Sequence, residues 1–85
     1  MEIQYLPKFL RQYQKIPSKI KIKAEKQETI FRKNPFDPRL KTHHLTGKLK
    51  EFWSFSIDYQ YRIIFQFVDE NIVWFYLIGT HAIYK

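Results

Sequence analysis

The fold is decided by residues 52–84, which read FWSFSIDYQYRIIFQFVDENIVWFYLIGTHAIY. Residues 53–58 alternate apolar and polar side chains, the period-two pattern of a half-buried strand. Residues 61–68 alternate in the same way and place Arg62 opposite a face of large apolar side chains. Residues 72–78 are apolar at every position, which indicates a strand that is buried on both faces. This part of the chain therefore predicts three consecutive strands in an aromatic-rich antiparallel sheet.

Two helices bounded by prolines are predicted before these strands. Pro7 suits the first turn of a helix, and Pro17 ends that helix because the residue before a proline is disfavoured in the α region. Ser18 is the expected N-cap of the second helix, which stops at Asn34-Pro35. One face of the second helix carries Ile20, Ala24, Gln27 and Phe31.

Further strands are predicted on either side of the helices, at residues 2–6 and residues 39–46. Gly47 is expected to start the turn that leads into the strand of residues 53–58, whose core-facing side includes Trp53. The element order is β-α-α-β-β-β-β. This order predicts an α+β fold, in which an N-terminal helical hairpin packs on a four- to five-stranded, mostly antiparallel sheet.

Length and composition narrow the class of protein. The chain has 85 residues, and residues 1–85 are read as one domain. It contains no cysteine, which excludes a disulfide framework and a thiolate metal site and fits a reducing cytosol. No apolar run approaches the roughly 20 residues that cross a bilayer, and the first residues lack the pattern of a signal peptide. We therefore expect a cytoplasmic protein that does not enter a membrane.

Positive charge is concentrated in the first part of the chain. Residues 1–50 contain 13 Lys and Arg against 4 Asp and Glu, whereas residues 51–85 contain 2 against 4. Such asymmetry indicates a polyanion or an acidic protein as the partner. The structural alternative is a lysine-rich helix face that is simply solvated.

Several segments, taken together, resemble the RelE-type toxins. Residues 40–47 (LKTHHLTG) and 52–54 (FWS) resemble the L-K-x-H-x-L-x-G and W-S segments of that family. Residues 61–65 (YRIIF) resemble its arginine-bearing strand, and residues 79–84 (GTHAIY) resemble its closing G-T-H segment. Over nearly its whole length the chain is similar to the RelE/ParE toxin superfamily, and its G-T-H-A ending is most similar to the YafQ-like branch.

The resemblance implies the toxin of a type II toxin–antitoxin pair. Toxins of this kind usually cut mRNA in the ribosomal decoding site and need no metal or other cofactor. An acidic antitoxin silences them by laying a helix or strand over the basic surface, so the resemblance also implies a hetero-oligomer with the antitoxin. The three histidines lack cysteine or clustered carboxylate partners, and no metal site is predicted.

Cleavage of RNA by its own ribose 2′-OH needs a base, a cation for the developing charge and an acid for the leaving oxygen. Arg62 is the candidate cation, because its planar fork matches phosphate oxygens and the resemblance matches it to the family's catalytic arginine. A surface ion pair with Asp58 is the structural alternative. His81 is the candidate acid or base, because histidine exchanges protons near neutral pH.

The remaining candidates are less sharply defined. His43 and His44 are neighbours on a predicted strand and therefore point to opposite faces. The resemblance matches His43 to a histidine used in YafQ-like members. It also matches Tyr84 to an aromatic residue that stacks on a nucleobase or assists catalysis, the alternative being a tyrosine that pins the C-terminus. The candidate RNA-binding residues are Arg39, Lys41, Lys48 and Lys50.

The catalytic set is thinner than in related toxins. Many RelE relatives carry a basic residue just after the W-S pair, and YafQ-like members have acidic and histidine residues where this chain has Ser54 and Ser56. Two alternatives therefore stay open: a ParE-like toxin that inhibits DNA gyrase without cutting RNA, and a catalytically weakened relic that binds RNA or antitoxin. His81 favours RNA cleavage, because gyrase-directed relatives generally lack the catalytic histidine.

Overall fold

The computed structural model describes residues 1–84, and for Tyr84 the backbone alone. Within this part of the chain, two α-helices pack against a five-stranded mixed sheet. The elements are β1 (Glu2–Tyr5), α1 (Pro7–Gln14), α2 (Ser18–Lys33), β2 (His43–His44), β3 (Trp53–Ser56), β4 (Arg62–Phe67) and β5 (Ile72–Gly79). The predicted α+β class, the helical hairpin and the mostly antiparallel sheet are confirmed. No helix of residues 1–84 is both long enough and apolar enough to span a membrane.

The sheet places its strands in the order β1-β5-β4-β3-β2. β1 runs parallel to β5, with Ile3 opposite Val73, and the helical hairpin supplies the crossover that a parallel pair requires. The other three pairs are antiparallel. The β4–β5 register shifts between Ile64 and Phe65, which pair with Leu77 and Phe75, so the register skips one residue of β5.

The core between the helices and the sheet is built on aromatic rings. Phe31 of α2 is fully buried and stacks on Phe55 of β3, with ring centroids 5.0 Å apart. It also meets Phe65 edge-on at 4.9 Å and Phe75 edge-on at 5.5 Å. One side chain of α2 thus contacts three neighbouring strands. Aromatic pairs of this kind contribute about 0.5–1.5 kcal/mol each beyond the area that they bury.

The first helix is tied to the sheet in two ways. Phe9 is buried and lies 5.6 Å from the ring of Phe75 and 5.7 Å from that of Tyr5. The Gln12 Oε1 atom accepts a hydrogen bond of 2.9 Å from the backbone N–H of Ile78. The helix side chain therefore satisfies a backbone donor of β5 that has no strand partner at that point.

A second apolar cluster covers part of the opposite face of the sheet. Its buried members are Leu45, Ile64 and Leu77, and the partly buried residues packed on them are Leu49, Phe52, Tyr76 and Ile83. The stretch before β3 and the turn after β5 supply most of this cover. As a result, both faces of the central strands are apolar, as the pattern of residues 72–78 predicts.

The prediction of a strand at residues 39–46 is wrong for most of these residues. Pro38–Leu40 form a single 3-10 turn, and Lys41 takes the left-handed conformation with φ of 52°. Only His43–His44 join the sheet. The Asp37 carboxylate accepts the N–H of Arg39 at 2.9 Å, and this local hydrogen bond favours a turn over a strand.

Ser18 is not the N-cap of α2. The cap residue is Pro17, whose φ and ψ of −57° and 146° are extended, and Ser18 is the first helical residue. The Pro17 carbonyl accepts the N–H groups of Ile20 at 2.9 Å and Lys21 at 3.0 Å. The rigid φ of proline therefore sets the start of the helix without a side-chain cap.

The alternating pattern predicts correctly which residues of β3 share a face, but it does not predict which of them are buried. Trp53 is only half-buried and packs at the margin of the helix-side core, whereas Phe55 is fully buried. Ser54 and Ser56, expected on a solvent-facing side, are 0% and 8% exposed. The reason is the second apolar cluster, which shields the face that the serines share.

The role of Phe31 gives a stability prediction. Phe31→Ala should lower the free energy of unfolding by about 3–5 kcal/mol, because it leaves a cavity beside three strands. The measurement is urea unfolding followed by tryptophan fluorescence. Ile22→Ala is the control, since Ile22 lies on the same helix but is 57% exposed, and its change should stay within about 0.5 kcal/mol. Equal losses in both variants would show that α2 does not pack through Phe31.

Candidate functional site

Arg62 lies at the start of β4, on the face of the sheet opposite the helices. It shares that face with Ile64, two residues along the strand, which belongs to the second apolar cluster. The register places Arg62 between Ser56 of β3 and Gly79 of β5. Directly opposed residues of antiparallel strands project to the same side. The site is therefore built where β4 begins and β5 ends.

The guanidinium of Arg62 is held by neutral oxygens. Its Nη1 donates to Ser56 Oγ at 2.7 Å and to the backbone carbonyl of Asp58 at 2.9 Å. The structural alternative, a surface ion pair between Arg62 and Asp58, is not what the structure has, because the Asp58 carboxylate faces Lys23 Nζ at 3.6 Å. Among the side chains that the structure describes, which exclude that of Tyr84, none accepts a hydrogen bond from Nε or Nη2 of Arg62. Arg62 is therefore oriented by the protein while it keeps donors and charge for an anion.

The turn between β3 and β4 fixes the carbonyl that holds Arg62. Asp58 Oδ1 accepts the N–H groups of Gln60 and Tyr61, each at 2.8 Å. Burial opposes ionisation of this carboxyl, but the hydrogen bonds from Tyr61 and Gln60 and the charge of Lys23 outweigh it and lower the pKa of Asp58. A lowered pKa means that the turn contributes stability above the ordinary aspartate pKa. That stability is lost as pH falls through the folded-state value.

His81 begins the short 3-10 helix His81–Tyr84 that follows β5. It is exposed and lies two residues beyond Gly79, the direct partner of Arg62. A Cβ atom on Gly79 would lie 2.5 Å from Cγ2 of Ile83. Glycine at this position therefore lets the turn that carries His81 fold back over the sheet. Tyr84 belongs to the same turn, but its side chain lies outside the part of the chain that the structure describes.

The two neighbouring histidines of β2 have different surroundings. His43 pairs with Ser54, so it projects to the face that Arg62 occupies, and its Nδ1 lies 3.2 Å from the carbonyl of Lys41. Two strand spacings separate β2 from β4, which places the backbones of His43 and Arg62 at least about 10 Å apart. His44 pairs with Trp53 and stacks on its ring at 4.7 Å, on the other face. His43 thus lies at the outer margin of the Arg62 site, and His44 lies outside it.

The four candidate RNA-binding residues are not equivalent. Lys41, Lys48 and Lys50 are exposed near the β2 edge. Arg39 is also exposed, but its guanidinium group is hydrogen-bonded to the Asp37 carboxylate, with Nε–Oδ1 and Nη2–Oδ2 distances of 3.0 Å and 2.9 Å. The hydrogen bonds from the Arg39 side chain and backbone lower the pKa of Asp37 to about 2. Arg39 is therefore locally neutralised, whereas the lysines present their charge to solvent.

Ser56 is a site residue that the sequence did not reveal. The alternation of residues 53–58 predicts only that Ser56 lies on the polar face of its strand. In the structure it is buried and accepts the hydrogen bond of Arg62. The available signal was the short turn between β3 and β4, which makes Ser56 a cross-strand neighbour of Arg62. Among residues 1–84, no three His, Cys, Asp or Glu side chains are grouped so as to hold a metal ion.

Comparison with solved structures shows a shared fold. Crystalline YafQ from E. coli superposes with a TM-score of 0.81 at 18% identity, over 98% of this chain and 96% of YafQ. The YoeB/ParE toxin from Agrobacterium tumefaciens gives 0.80 at 16% identity, over 95% and 99%. A chain of the E. coli DinJ–YafQ complex gives 0.69 at 20% identity, over 96% and 94%.

Comparison with sequence families is decisive for classification. No curated protein sequence matches this chain. The model of the HigB-like toxin family, described as the RelE-like toxin of type II toxin-antitoxin system HigB, matches residues 3–81. This match spans most of the chain, and it agrees with the resemblance of the sequence to RelE-type toxins. The chain therefore belongs to the HigB-like family of RelE-type toxins of type II toxin–antitoxin systems.

Proposed function

We propose that this toxin is a ribosome-dependent mRNA endoribonuclease that cuts by metal-independent attack of a ribose 2′-OH on the adjacent phosphate. The observation that carries the proposal is the oriented guanidinium of Arg62, anchored by Ser56 and the Asp58 carbonyl beside the strand end that leads to His81. Membership of the RelE-type toxin family supports the same reaction class.

In the proposed reaction Arg62 acts on the phosphate. The 2′-oxygen forms a bond to phosphorus as its proton leaves, and the bond from phosphorus to the 5′-oxygen breaks. The products are a 2′,3′-cyclic phosphate and a 5′-hydroxyl end. Arg62 Nε and Nη2 donate to the non-bridging oxygens, whose negative charge grows in the transition state. Because Nη1 is already anchored, little reorganisation is needed at the moment of reaction.

His81 carries out one of the two proton transfers. It either takes the proton from the 2′-OH or gives one to the leaving 5′-oxygen. The second transfer falls to His43 or Tyr84, of which His43 lies on the Arg62 face and Tyr84 belongs to the turn of His81. Lys41, Lys48 and Lys50 attract the RNA backbone, and the ribosome positions the scissile phosphate.

We also propose an acidic antitoxin as the partner that silences the toxin. The charge of residues 1–50 supports an acidic partner, and the toxin YafQ, which has the same fold, has been crystallised in a toxin–antitoxin complex with DinJ. The complex would be a hetero-oligomer that covers the basic surface.

The catalytic assignment predicts large losses of activity. Arg62→Ala should lower the rate of mRNA cleavage on purified ribosomes by about 100- to 1000-fold, because it removes an oriented charge. His81→Ala should lower it by about 100- to 10,000-fold, because it removes an acid or base. Arg11→Ala is the matched control, since Arg11 is exposed on α1, and it should cut like the parent. Thermal unfolding of each variant verifies that the fold is retained.

The outcomes separate the competing functions. If both variants cut mRNA as fast as the parent, the site lies elsewhere. If the parent itself never cuts ribosome-bound mRNA but blocks supercoiling by DNA gyrase, the ParE-like function replaces this one. If it does neither, the chain is a relic that retains binding alone.

The contact between Ser56 and Arg62 predicts a positioning effect. Ser56→Ala removes the Oγ acceptor of Arg62 and should lower kcat by about 10- to 100-fold with little change in KM, because the guanidinium is no longer held in place. Ser56→Thr keeps the hydroxyl and should recover most of the rate. A kcat equal to the parent's in Ser56→Ala would show that the Asp58 carbonyl alone orients Arg62.

The partner assignment predicts salt-sensitive association. Stopped-flow mixing with the acidic antitoxin should give an association rate that falls roughly tenfold or more between low and high salt, because opposite charges steer the encounter. The dissociation rate should change less. An association rate that does not respond to salt, or the absence of any complex at low salt, would contradict a charge-driven partner.

A further inference from the structure

A cluster of four rings lies at the β2 edge of the sheet, on the helix side. We name it the aromatic platform; its members are Phe36, His44, Trp53 and Phe67. Trp53 is central: His44 stacks on it at 4.7 Å with planes 25° apart, and Phe36 and Phe67 meet it edge-on at 5.4 Å and 5.7 Å. Phe36 also stacks against Phe67 at 5.9 Å.

The outer rings of the platform reach solvent while the inner rings support them. Phe36 is 54% exposed and His44 is exposed, whereas Trp53 and Phe67 are half-buried. An exposed phenyl ring in contact with other aromatic rings is an apolar surface that the fold itself does not cover.

The positions of the outer rings are fixed by hydrogen bonds. Asn34 Oδ1 accepts the backbone N–H of Phe36 at 3.0 Å, and Thr42 Oγ1 donates to the Pro35 carbonyl across the same loop. The Nε2 atom of His44 is hydrogen-bonded to the Lys50 carbonyl. The platform is therefore preorganised, and a flat ligand would not have to order it.

The charges beside the platform are mainly positive. Lys33 ends α2 just before the loop that carries Phe36, and Lys41 and Lys50 flank β2 on either side in the sequence, all three exposed. Two carboxylates lie in the same segments: Asp37, which is paired with Arg39, and Glu51, which is exposed. Flat rings among lysines are the surface that single-stranded nucleic acid prefers, with bases on the rings and phosphates near the cations.

We propose that the aromatic platform stacks an unpaired nucleobase of the RNA strand whose phosphate is cut at Arg62. The proposal rests on the proposed function, because it assigns a second contact to the same substrate. His43 and His44 link the two places, since they are neighbours on the edge strand and project to opposite faces. An RNA strand that crosses the β2 edge therefore meets both faces. The platform supplies binding and register, whereas Arg62 supplies the chemistry.

The test uses a single-stranded 2′-O-methyl RNA of ten nucleotides, which cannot be cut, and an abasic oligomer with the same number of phosphates. Fluorescence anisotropy gives the Kd of each. Phe36→Ser should weaken RNA binding by about 5- to 100-fold, the usual effect of losing one stacked base. The abasic oligomer should bind parent and variant equally. Ile22→Ser, at a 57% exposed position on α2, is the matched control and should leave both Kd values unchanged.

Two further variants distinguish stacking on an aromatic ring from contact with an apolar side chain of similar volume. Phe36→Tyr keeps a flat ring and should bind RNA like the parent, whereas Phe36→Leu keeps apolar volume without a ring and should bind like Phe36→Ser. Parental RNA affinity in both Phe36→Ser and Phe36→Leu would overturn the proposal. Loss of antitoxin binding with unchanged RNA binding in these variants would overturn it too, and would identify the platform as a protein-docking surface.

The cleavage assay on ribosomes keeps the two proposals distinct. If the parent cuts mRNA and the Phe36 variants bind RNA normally, the platform assignment alone fails. If the parent never cuts but loses RNA affinity through Phe36→Ser, the proposed catalytic function fails, and with it the link between the platform and a cut phosphate; the platform then stands only as a surface that binds nucleobases.

Discussion

The packing of Phe31 against Phe55, Phe65 and Phe75 is the contact on which the rest of the architecture depends. A single ring of α2 is buried against three adjacent strands, none of which is the element next to the helix in the sequence. So small a domain has few other ways to cover a sheet. This contact commits the helical hairpin to one face and leaves the opposite face for other elements.

Because the helical hairpin covers one face of the sheet, other elements must cover the opposite face. In the part of the chain that the structure describes, it is covered by short connecting segments, of which one contains Lys48 and Lys50 and another contains His81. The apolar side chains in these segments, Leu49 and Ile83, pack on Ile64 and Leu77 of the central strands. Burial of a few apolar groups thus brings the segments that carry these polar residues onto the face of the sheet that Arg62 occupies. The same segments therefore supply apolar residues to the second cluster and polar residues to the candidate site.

This toxin has few candidate groups for acid–base catalysis, and their small number affects how it would act. Where YafQ-like relatives are expected to have acidic and histidine side chains, Ser54 and Ser56 are buried beneath the site. Ser56 contributes by holding Arg62, so a position without acid–base chemistry still acts on the geometry of the cation. Orientation of a charge lowers a barrier without any change in its protonation state. In the proposed reaction this makes positioning, together with the ribosome, more important than the number of catalytic groups.

The sequence by itself determined the strands β3 to β5, the two helices and the toxin family. Period-two alternation, proline positions and short motifs are properties of neighbouring residues, and they can be read without knowing the fold. They also placed His43 and His44 on opposite faces. Which of the two shares a face with Arg62 was decided by the register of β2 against β3.

Only the tertiary structure decided what is buried and what touches Arg62. The turn that replaces the predicted strand at residues 39–46 is different in kind: it has a local cause, because Asp37 and Pro38 offer the backbone a hydrogen bond and a fixed φ, and these neighbours are visible in the sequence. Ser54 and Ser56 are buried on the face that carries the second apolar cluster, to which the segments before β3 and after β5 contribute Phe52 and Ile83. Alternation within one strand reports that two faces differ, but it contains no information about which distant segment will cover the polar one.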